Sequence, residues 1–269
     1  MSIITNTIKE DSLLFKKSKT YQYLRKFKIF RELKKGYKKI ISSFSHSYPF
    51  HNDLLLQKAL ILTIREIKPT SLVETGTYLG ASTSFMAKNF PNILVYTCEI
   101  NDKNYRKSIK NLRKYKNVKI IKGNSPEFLQ KMINKKLLGE RPLFFLDAHW
   151  EKYWPLEEEI KIITTNCKSA VILIDDFKIS DSPQFGFDKY DSKDCSLELI
   201  RHTLNKKNKY NLLFPNYNKK DFPKKKVPKN LTGYPIIFMN LLKEFRELSS
   251  NPLVKRYFMN RSDLFKNKS

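Results

Sequence analysis

Two hydrophobic periods alternate along the central part of the chain. Short runs rich in Val, Ile, Leu and Phe predict strands, and the segments between them predict helices. The predicted strands are 71–74, 93–98, 118–121, 143–147 and 170–175, and the helices between them begin near residues 82, 102, 125 and 154. Short buried strands separated by helices are typical of a parallel sheet covered on both faces. The pattern therefore predicts a doubly wound, Rossmann-like α/β fold with helices on both faces of the sheet.

Two more strands are predicted after this alternation, at 210–214 and 234–240. A stretch rich in lysine and proline separates them, so they are joined by a loop rather than by a helix. Strands joined in this way pair antiparallel. We therefore expect a mostly parallel seven-stranded sheet with an antiparallel edge hairpin, followed by a basic helical tail over 241–269.

The N-terminal extension, residues 1–46, has a pattern of its own. Between residues 20 and 41 apolar side chains recur every three or four positions with Lys and Arg between them, which predicts a basic amphipathic helix. Such a helix can fold back on its own domain, pack on a partner subunit in a homo-oligomer, or lie on an anionic membrane surface. The sequence leaves these three alternatives open.

A break in the pattern marks the start of the main domain. Ser47, Pro49 and Asn52 precede the segment DLLLQKALILTIREI, whose length and flanking residues favour a core helix over a strand. We therefore predict that one α/β domain occupies residues 47–240.

Charge and composition restrict the class of protein. The 269 residues carry a net charge of +26, concentrated in residues 1–45, with 12 basic against 3 acidic residues, and in residues 201–230, with 10 against 1. This excess suits an anionic partner, but a lysine-rich genome composition explains it equally well. No apolar run is long enough for a membrane span, and three cysteines without CxxC spacing indicate neither a disulfide framework nor a zinc site. We expect a cytoplasmic protein.

Glycines follow the first predicted strand. The chain has only 7 glycines, yet Gly76 and Gly80 lie in one strand-to-helix turn, just after Glu74. Ligands of doubly wound sheets bind at the carboxyl ends of the strands, where a glycine permits positive φ or the close approach of a ligand. A tight turn without a ligand is the alternative.

Polar residues also follow the second and third predicted strands. Glu99 stands where an acid accepts hydrogen bonds from the two ribose hydroxyls of a nucleoside. Asn124 and Ser125, after Gly123, can present an amide and a backbone N–H to an adenine edge. The alternatives are a solvated surface acid and a helix cap. The joint occurrence at three successive strand ends favours nucleoside binding.

These segments resemble the class I S-adenosylmethionine-dependent methyltransferases over about residues 55–180. VETGTYLGAS resembles the first motif of that family, TCEI its ribose-binding acid and GNS its adenine-contacting segment, with Asn124 where an acid is commoner. The resemblance implies that Glu74 anchors the first loop. The residues that it implies around S-adenosylmethionine are Glu74, Gly76, Thr77, Tyr78, Gly80, Ser82, Glu99, Asn124, Ser125 and Asp147.

The fourth and fifth predicted strands end in FLDAHW and LIDDF, so Asp147, His149, Asp175 and Asp176 should meet at one edge of the sheet. Converging carboxylates are costly unless a cation or a proton shares them, and carboxylate oxygens suit Mg²⁺. The pattern is similar to that of metal-dependent O-methyltransferases of small molecules and sugars. That similarity implies Asp147, Asp175 and Asp176 as metal ligands and His149 as a general base with Asp147 beside it. The alternative is that no metal binds, that Asp147 contacts the cofactor and that the acid pair caps the next loop.

The most consistent function is O-methylation of a small-molecule or saccharide hydroxyl, for example in polysaccharide modification. Asp147, Tyr153, Trp154 and the loop 177–194 would line the acceptor pocket. An RNA ribose methyltransferase and a non-catalytic binding protein with this fold remain alternatives. Nucleic-acid base methylation is disfavoured, because LDAHW replaces the Asp/Asn-Pro-Pro-aromatic or Pro-Cys signatures. A nicotinamide-dependent oxidoreductase is disfavoured because ETGTYLG lacks the first glycine of GxGxxG.

Overall fold

Five strands and five helices alternate in the first part of the structure. The computed structural model describes residues 48–148 and 153–265. The strands are β1 (Leu72–Thr75), β2 (Val95–Glu99), β3 (Val118–Lys122), β4 (Leu143–Leu146) and β5 (Ala170–Ile174). The helices are α1 (Leu54–Ile67), α2 (Ala81–Asn89), α3 (Asp102–Leu112), α4 (Ser125–Asn134) and α5 (Leu156–Asn166). The predicted alternation of strands and helices is confirmed.

The rest of the described chain contains shorter elements. The strands are β6 (Phe185–Gly186), β7 (Lys189–Tyr190), β8 (Lys193–Asp194), β9 (Tyr210–Pro215), β10 (Leu231–Thr232), β11 (Ile236–Met239) and β12 (Phe258–Asn260). The α-helices are α6 (Leu197–Ile200), α7 (Leu242–Ser250) and α8 (Pro252–Tyr257). Short 3₁₀ helices cover Arg201–Thr203, Lys219–Asp221, Lys224–Lys226 and Ser262–Phe265, and Pro49–Asn52 forms a turn in which Phe50 and His51 have left-handed backbone.

One eight-stranded sheet organises these elements, in the order β12-β9-β11-β5-β4-β1-β2-β3. The strands β3, β2, β1, β4 and β5 are parallel. Because parallel crossovers are right-handed, the reversal of direction after β3 puts α2 and α3 on one face and α4 and α5 on the other. In agreement, α4 packs against α5. The doubly wound arrangement predicted from the sequence is therefore present.

The sheet has eight strands, one more than the seven predicted, and the additional strand lies in its antiparallel part. The two late strands, β9 and β11, pair antiparallel as expected, and β11 also pairs antiparallel with β5. The edge is β12, which pairs with β9 and lies in the segment predicted to be a helical tail. Three residues are too few to show a period of two, and only Phe258 of this strand is buried. The sequence pattern therefore could not reveal it.

The helix α1 begins at a side-chain cap and packs through one apolar stripe. The Asp53 carboxylate accepts hydrogen bonds from the amides of Leu55 and Leu56, which satisfies two donors at the helix N-terminus. Along the helix, Leu56, Leu60, Ile64 and Ile67 recur at helical spacing and are fully buried. The helix α1 also contacts α7. This packing fixes the segment just before α1, which contributes to the site described below.

The amphipathic helix predicted for residues 20–41 lies outside the described residues, as does the rest of the extension 1–46. In the ranges that are described, no helix combines the length and the apolar character needed to cross a membrane.

Candidate cofactor and acceptor site

The loop after β1 depends on two glycines with left-handed backbone. Gly76 has φ 87° and Gly80 has φ 84°. A Cβ atom on Gly76 would lie 2.1 Å from the carbonyl oxygen of Asp147, and one on Gly80 would lie 2.7 Å from the Leu112 side chain. Both glycines are thus required by conformation and by contact with the protein itself. Gly76 lets the loop after β1 pack against the loop after β4, and Gly80 lets it pack against α3.

Glu74, in β1, is completely buried and anchors this loop. Its carboxylate accepts hydrogen bonds from the hydroxyls of Ser82 and Thr83 at the start of α2, and from Thr97 of β2 at 2.7 Å. Burial raises the pKa of Glu74 to about 7, and the three hydroxyls oppose that rise. The hydrogen bond between Ser82 and Glu74 therefore ties α2 to β1, and the one from Thr97 ties β2 to β1. Next to them, the hydroxyl of Thr77 lies 2.6 Å from that of Thr97.

The carboxylate of Glu99, at the end of β2, is held between two loops. One oxygen accepts a hydrogen bond from the amide of Tyr78 at 2.7 Å, and the other accepts one from the amide of Asn101 at 2.8 Å. Burial raises the pKa of Glu99, and these amides oppose the rise. Each carboxylate oxygen has a second lone pair. Glu99 is therefore oriented by backbone amides and keeps capacity to accept further hydrogen bonds.

The turn after β3 combines an open position with a helix cap. Gly123 has φ 153°, and a Cβ atom built there would meet no atom within 4 Å. The Asn124 side chain accepts a hydrogen bond from the amide of Glu127 and caps α4. The hydroxyl of Ser125 is buried and has no hydrogen-bond partner within the described part of the chain. The cap expected as an alternative is thus present at Asn124, and Ser125 keeps its hydrogen-bonding capacity.

A cleft of about 1020 Å³ opens beside this turn and continues between α4 and α5. Ile100, Asn124, Tyr153 and Trp154 line the part nearest the strand ends. Four buried oxygens in this region lack a hydrogen-bond partner among residues 48–148 and 153–265: Thr75 Oγ1, Ser125 Oγ, the Tyr153 hydroxyl and Glu159 Oε1. Leaving such a group without a partner costs about 1–3 kcal/mol. These atoms are suited to a polar ligand or to ordered water.

Carboxylates gather at the ends of β4 and β5. Asp147 follows β4 and is partly exposed, Asp175 follows β5 and is buried, and Asp176 has φ 47°. Burial raises the pKa of Asp147 well above its usual range, and the charges of Asp175 and Asp176 raise it further. Burial and the charge of Asp175 raise the pKa of Asp176 to about 8. The charges of these side chains therefore act on one another at this edge of the sheet.

A histidine that the sequence analysis did not identify faces the same carboxylates. His51 Nε2 lies 3.2 Å from Asp175 Oδ2 and 3.9 Å from Asp176 Oδ2. The hydrogen bond to Asp175 and the nearby negative charges raise the pKa of His51 to about 9, against the effect of burial. His51 and Asp175 are 124 positions apart, and a lone histidine before a helix gives no signal of such a contact.

The other predicted acceptor residues are only partly described. His149, expected to be the general base, lies outside the described residues. The loop 177–194 folds into short strands, of which β6 pairs with β10 and β7 with β8. The amide of Asp188 in this loop donates to the carbonyl of Asp176 at 2.8 Å. The loop therefore packs directly on the turn that carries the acid pair.

Comparisons with known proteins agree with this architecture. Residues 68–153 match the family model described as "Putative methyltransferase". An O-methyltransferase from Bacillus cereus in complex with SAH is 16% identical with a TM-score of 0.50, and the match covers 74% of this chain and 87% of that chain. TomG, an O-methyltransferase from Streptomyces achromogenes in complex with SAM, is 16% identical with a TM-score of 0.48, covering 68% and 78%. No curated protein matches the sequence.

The matched segment contains β1 to β4 and the loops after β1, β2 and β3. The Bacillus cereus enzyme shows that the chain has the fold of a methyltransferase. Together these two findings bear out the resemblance to the class I S-adenosylmethionine-dependent methyltransferases. The chain therefore has the fold of the class I methyltransferases, and residues 68–153 match a methyltransferase family model.

Proposed function

We propose that the protein binds S-adenosylmethionine at the ends of β1, β2 and β3 and methylates a hydroxyl of a small molecule or saccharide. The observation that carries the proposal is the Glu99 carboxylate, held by the amides of Tyr78 and Asn101 beside an open cleft. The Bacillus cereus neighbour, which shares the fold, was solved with SAH.

The residues at these strand ends fit an adenosyl group. Glu99 keeps capacity to accept hydrogen bonds from a pair of ribose hydroxyls, and Gly123 leaves open space where any side chain would intrude. Ile100 is exposed at the cleft and offers an apolar surface for a purine ring, and Ser125 offers an unpartnered hydroxyl. Glu74 and Ser82 form a hydrogen bond with each other, and their role would be to hold the loop from Gly76 to Gly80 in place.

S-adenosylmethionine, when bound, supplies an electrophilic methyl group. Methylation of a hydroxyl forms one oxygen–carbon bond, breaks one sulfur–carbon bond and releases the hydroxyl proton, so the site needs a proton acceptor. Asp147, Asp175 and Asp176 lie at the strand ends next to the cofactor loop, and the glycine contact holds the Asp147 backbone against Gly76. We propose that these carboxylates orient the acceptor and that His149 takes the proton.

A divalent cation is part of this proposal. Asp147, Asp175 and Asp176 would hold Mg²⁺, which, when bound, lowers the pKa of an acceptor hydroxyl. The fit rests on the donor set, because the neighbouring carboxylates raise the pKa of Asp147 and of Asp176 and a cation would relieve that repulsion. We also propose that the acceptor is a polysaccharide and that the protein is cytoplasmic. Residues 20–41 would make a peripheral contact with a membrane or a contact between subunits of a homo-oligomer.

Calorimetry with S-adenosylmethionine tests the cofactor site. Glu99→Ala should weaken binding by about 10- to 100-fold, because each of two lost hydrogen bonds contributes about 1 kcal/mol. Glu140→Ala, which removes an exposed acid just before β4, is the matched control and should bind normally. Equal affinity of Glu99→Ala and the control would exclude this cofactor position. Binding without transfer to any hydroxyl acceptor would favour a non-catalytic binding protein.

A further inference from the structure

We propose that His51 joins Asp175 and Asp176 as a third protein ligand, and that this site binds a first-row divalent transition metal such as Mn²⁺ rather than Mg²⁺. The inference rests on the proposed cation-dependent transfer and changes its ligand set. The three side chains offer one nitrogen and two oxygens that all lie within 4.8 Å of one another. Of the described residues, these three form the group, and Asp147 is outside it.

The distances fit ligands that share one ion. Transition-metal bonds to imidazole nitrogen and carboxylate oxygen are about 2.1 Å long, so two ligands of one ion are about 3.0 Å apart at a right angle and about 4.2 Å apart on opposite sides. His51 Nε2 lies 3.2 Å from Asp175 Oδ2 and 3.9 Å from Asp176 Oδ2. Both distances fall between these limits, so the side chains need little movement to share a cation.

Asp175 supplies a second, independent indication of a ligand. Its side chain is only 2% exposed, and Oδ1 has no hydrogen-bond partner in the described ranges. A buried carboxylate oxygen without a donor is costly. His51 compensates Oδ2 alone, and a cation between the three side chains would compensate both oxygens.

The position of His51 is fixed from both sides. Phe50 is buried, and its ring packs edge-on against Phe85 at 5.4 Å and Phe145 at 5.1 Å. Asp53 caps α1 and also accepts a hydrogen bond from the Tyr217 hydroxyl at 2.5 Å. His51 lies between these anchors with φ 51°. Its imidazole is thus held beside the carboxylates by buried neighbours.

The chemistry of the ligands sets the choice of metal. Mg²⁺ prefers oxygen ligands and an octahedral shell with several waters, whereas imidazole suits first-row transition metals. One imidazole and two carboxylates leave positions open on an octahedral ion. His51 is 48% exposed and Asp176 is 20% exposed, so these positions face the solvent side. Water or an acceptor oxygen can reach the ion from there.

Electron paramagnetic resonance with Mn²⁺ tests the ligand set in the full-length protein. Protein labelled with ¹⁵N-histidine is compared as wild type, His51→Asn and His202→Asn. Asparagine is chosen because it tolerates the left-handed backbone of residue 51 better than most residues. A second variant, His51→Ala, removes the side chain beyond Cβ. His202 is exposed and paired with Glu157, which makes it the matched control. Far-ultraviolet circular dichroism checks that each variant is folded.

The expected result is a ¹⁵N coupling to Mn²⁺ in the wild type and in His202→Asn that is absent in both His51 variants. Their Mn²⁺ affinity should fall roughly tenfold or more, because even outer-shell partners of metal ligands contribute 10- to 100-fold. Mg²⁺ should displace Mn²⁺ from the wild type only in large excess. S-adenosylmethionine binding should be unchanged in every variant.

Other outcomes separate this inference from the proposed function. Mn²⁺ binding of equal strength without nitrogen coupling would overturn the role of His51 and leave an all-carboxylate site. Coupling that persists in the His51 variants would assign the nitrogen to another histidine and would also overturn it. Failure of Mn²⁺ and Mg²⁺ to bind would remove the cation altogether, while calorimetry would still decide the cofactor site.

Discussion

Glu159 provides a test of the electrostatics beneath the site. It lies in the first turn of α5, is 1% exposed, and its Oε1 has no hydrogen-bond partner in the described structure. Burial raises its pKa from 4.5 to about 7, and the nearby hydroxyls of Ser125 and Thr75 oppose that rise. One unit of pKa corresponds to about 1.4 kcal/mol, so ionising this carboxyl in the folded protein costs about 3 kcal/mol. We therefore expect the substitution Glu159→Gln to change how stability depends on pH.

The direction follows from proton binding. Between pH 4.5 and about 7 the folded protein holds a proton on Glu159 that the unfolded chain has lost. Stability therefore falls as pH rises through this window and levels off above pH 7. The amide of Glu159→Gln keeps the shape of the protonated acid and cannot ionise. The variant should match the wild type near pH 4.5 and exceed it by about 3 kcal/mol at pH 8.

Urea unfolding of both proteins at pH 4.5, 6 and 8 measures this difference. Glu74, whose pKa is also raised to about 7, is present in both proteins, so its contribution cancels in the comparison. Glu140→Gln, an exposed change outside α5, should follow the wild type at every pH. A Glu159→Gln protein that is no more stable than the wild type at pH 8 would refute the assigned burial and charge of Glu159.

Three other changes test separate parts of the structure. Gly76→Ala forces φ 87° on a residue whose Cβ would lie 2.1 Å from a carbonyl oxygen, so unfolding should require about 1–3 kcal/mol less; an unchanged melting temperature would contradict this. Tyr217→Phe removes a hydrogen bond to the buried Asp53 carboxylate, and a loss of about 1–3 kcal/mol is expected in urea unfolding; no loss would exclude that bond. Deletion of residues 1–45 should preserve cofactor affinity in calorimetry, and a folded truncation that binds none would refute the predicted domain boundary.

The parts of the fold that the sequence predicts correctly are those with a local cause. The strands β4 and β5 are buried along their whole length, so each appears as an uninterrupted apolar run between helical segments. Gly76 and Gly80 are conspicuous because glycine is scarce and both need positive φ. Their roles differ from the expected approach of a ligand, since the atoms that exclude a side chain belong to Asp147 and Leu112.

The parts that the sequence does not predict depend on distant contacts. His51 meets Asp175 only after the whole sheet has formed, and neither residue stands in a pattern that refers to the other. The strand β12 owes its place to pairing with β9, more than 40 positions earlier, and not to its own composition. Asn124 is a case in which two local interpretations compete, and its hydrogen bond to the amide of Glu127 shows that it caps α4.

The two halves of the site differ in how their carboxylates are satisfied. In the half proposed for the cofactor, hydroxyls donate to the Glu74 carboxylate and backbone amides donate to that of Glu99, so these carboxylates are held by the protein itself. In the acceptor half, Asp147 and Asp176 keep raised pKa values, and Asp175 has a buried oxygen that no described residue compensates. A positively charged ligand would reduce the repulsion among the carboxylates of the acceptor half and would have no such effect on Glu74 and Glu99. Binding of a cation should therefore stabilise the folded protein against urea more at pH 8, where the carboxyls are forced to ionise, than at pH 5, where protons compete for the same oxygens.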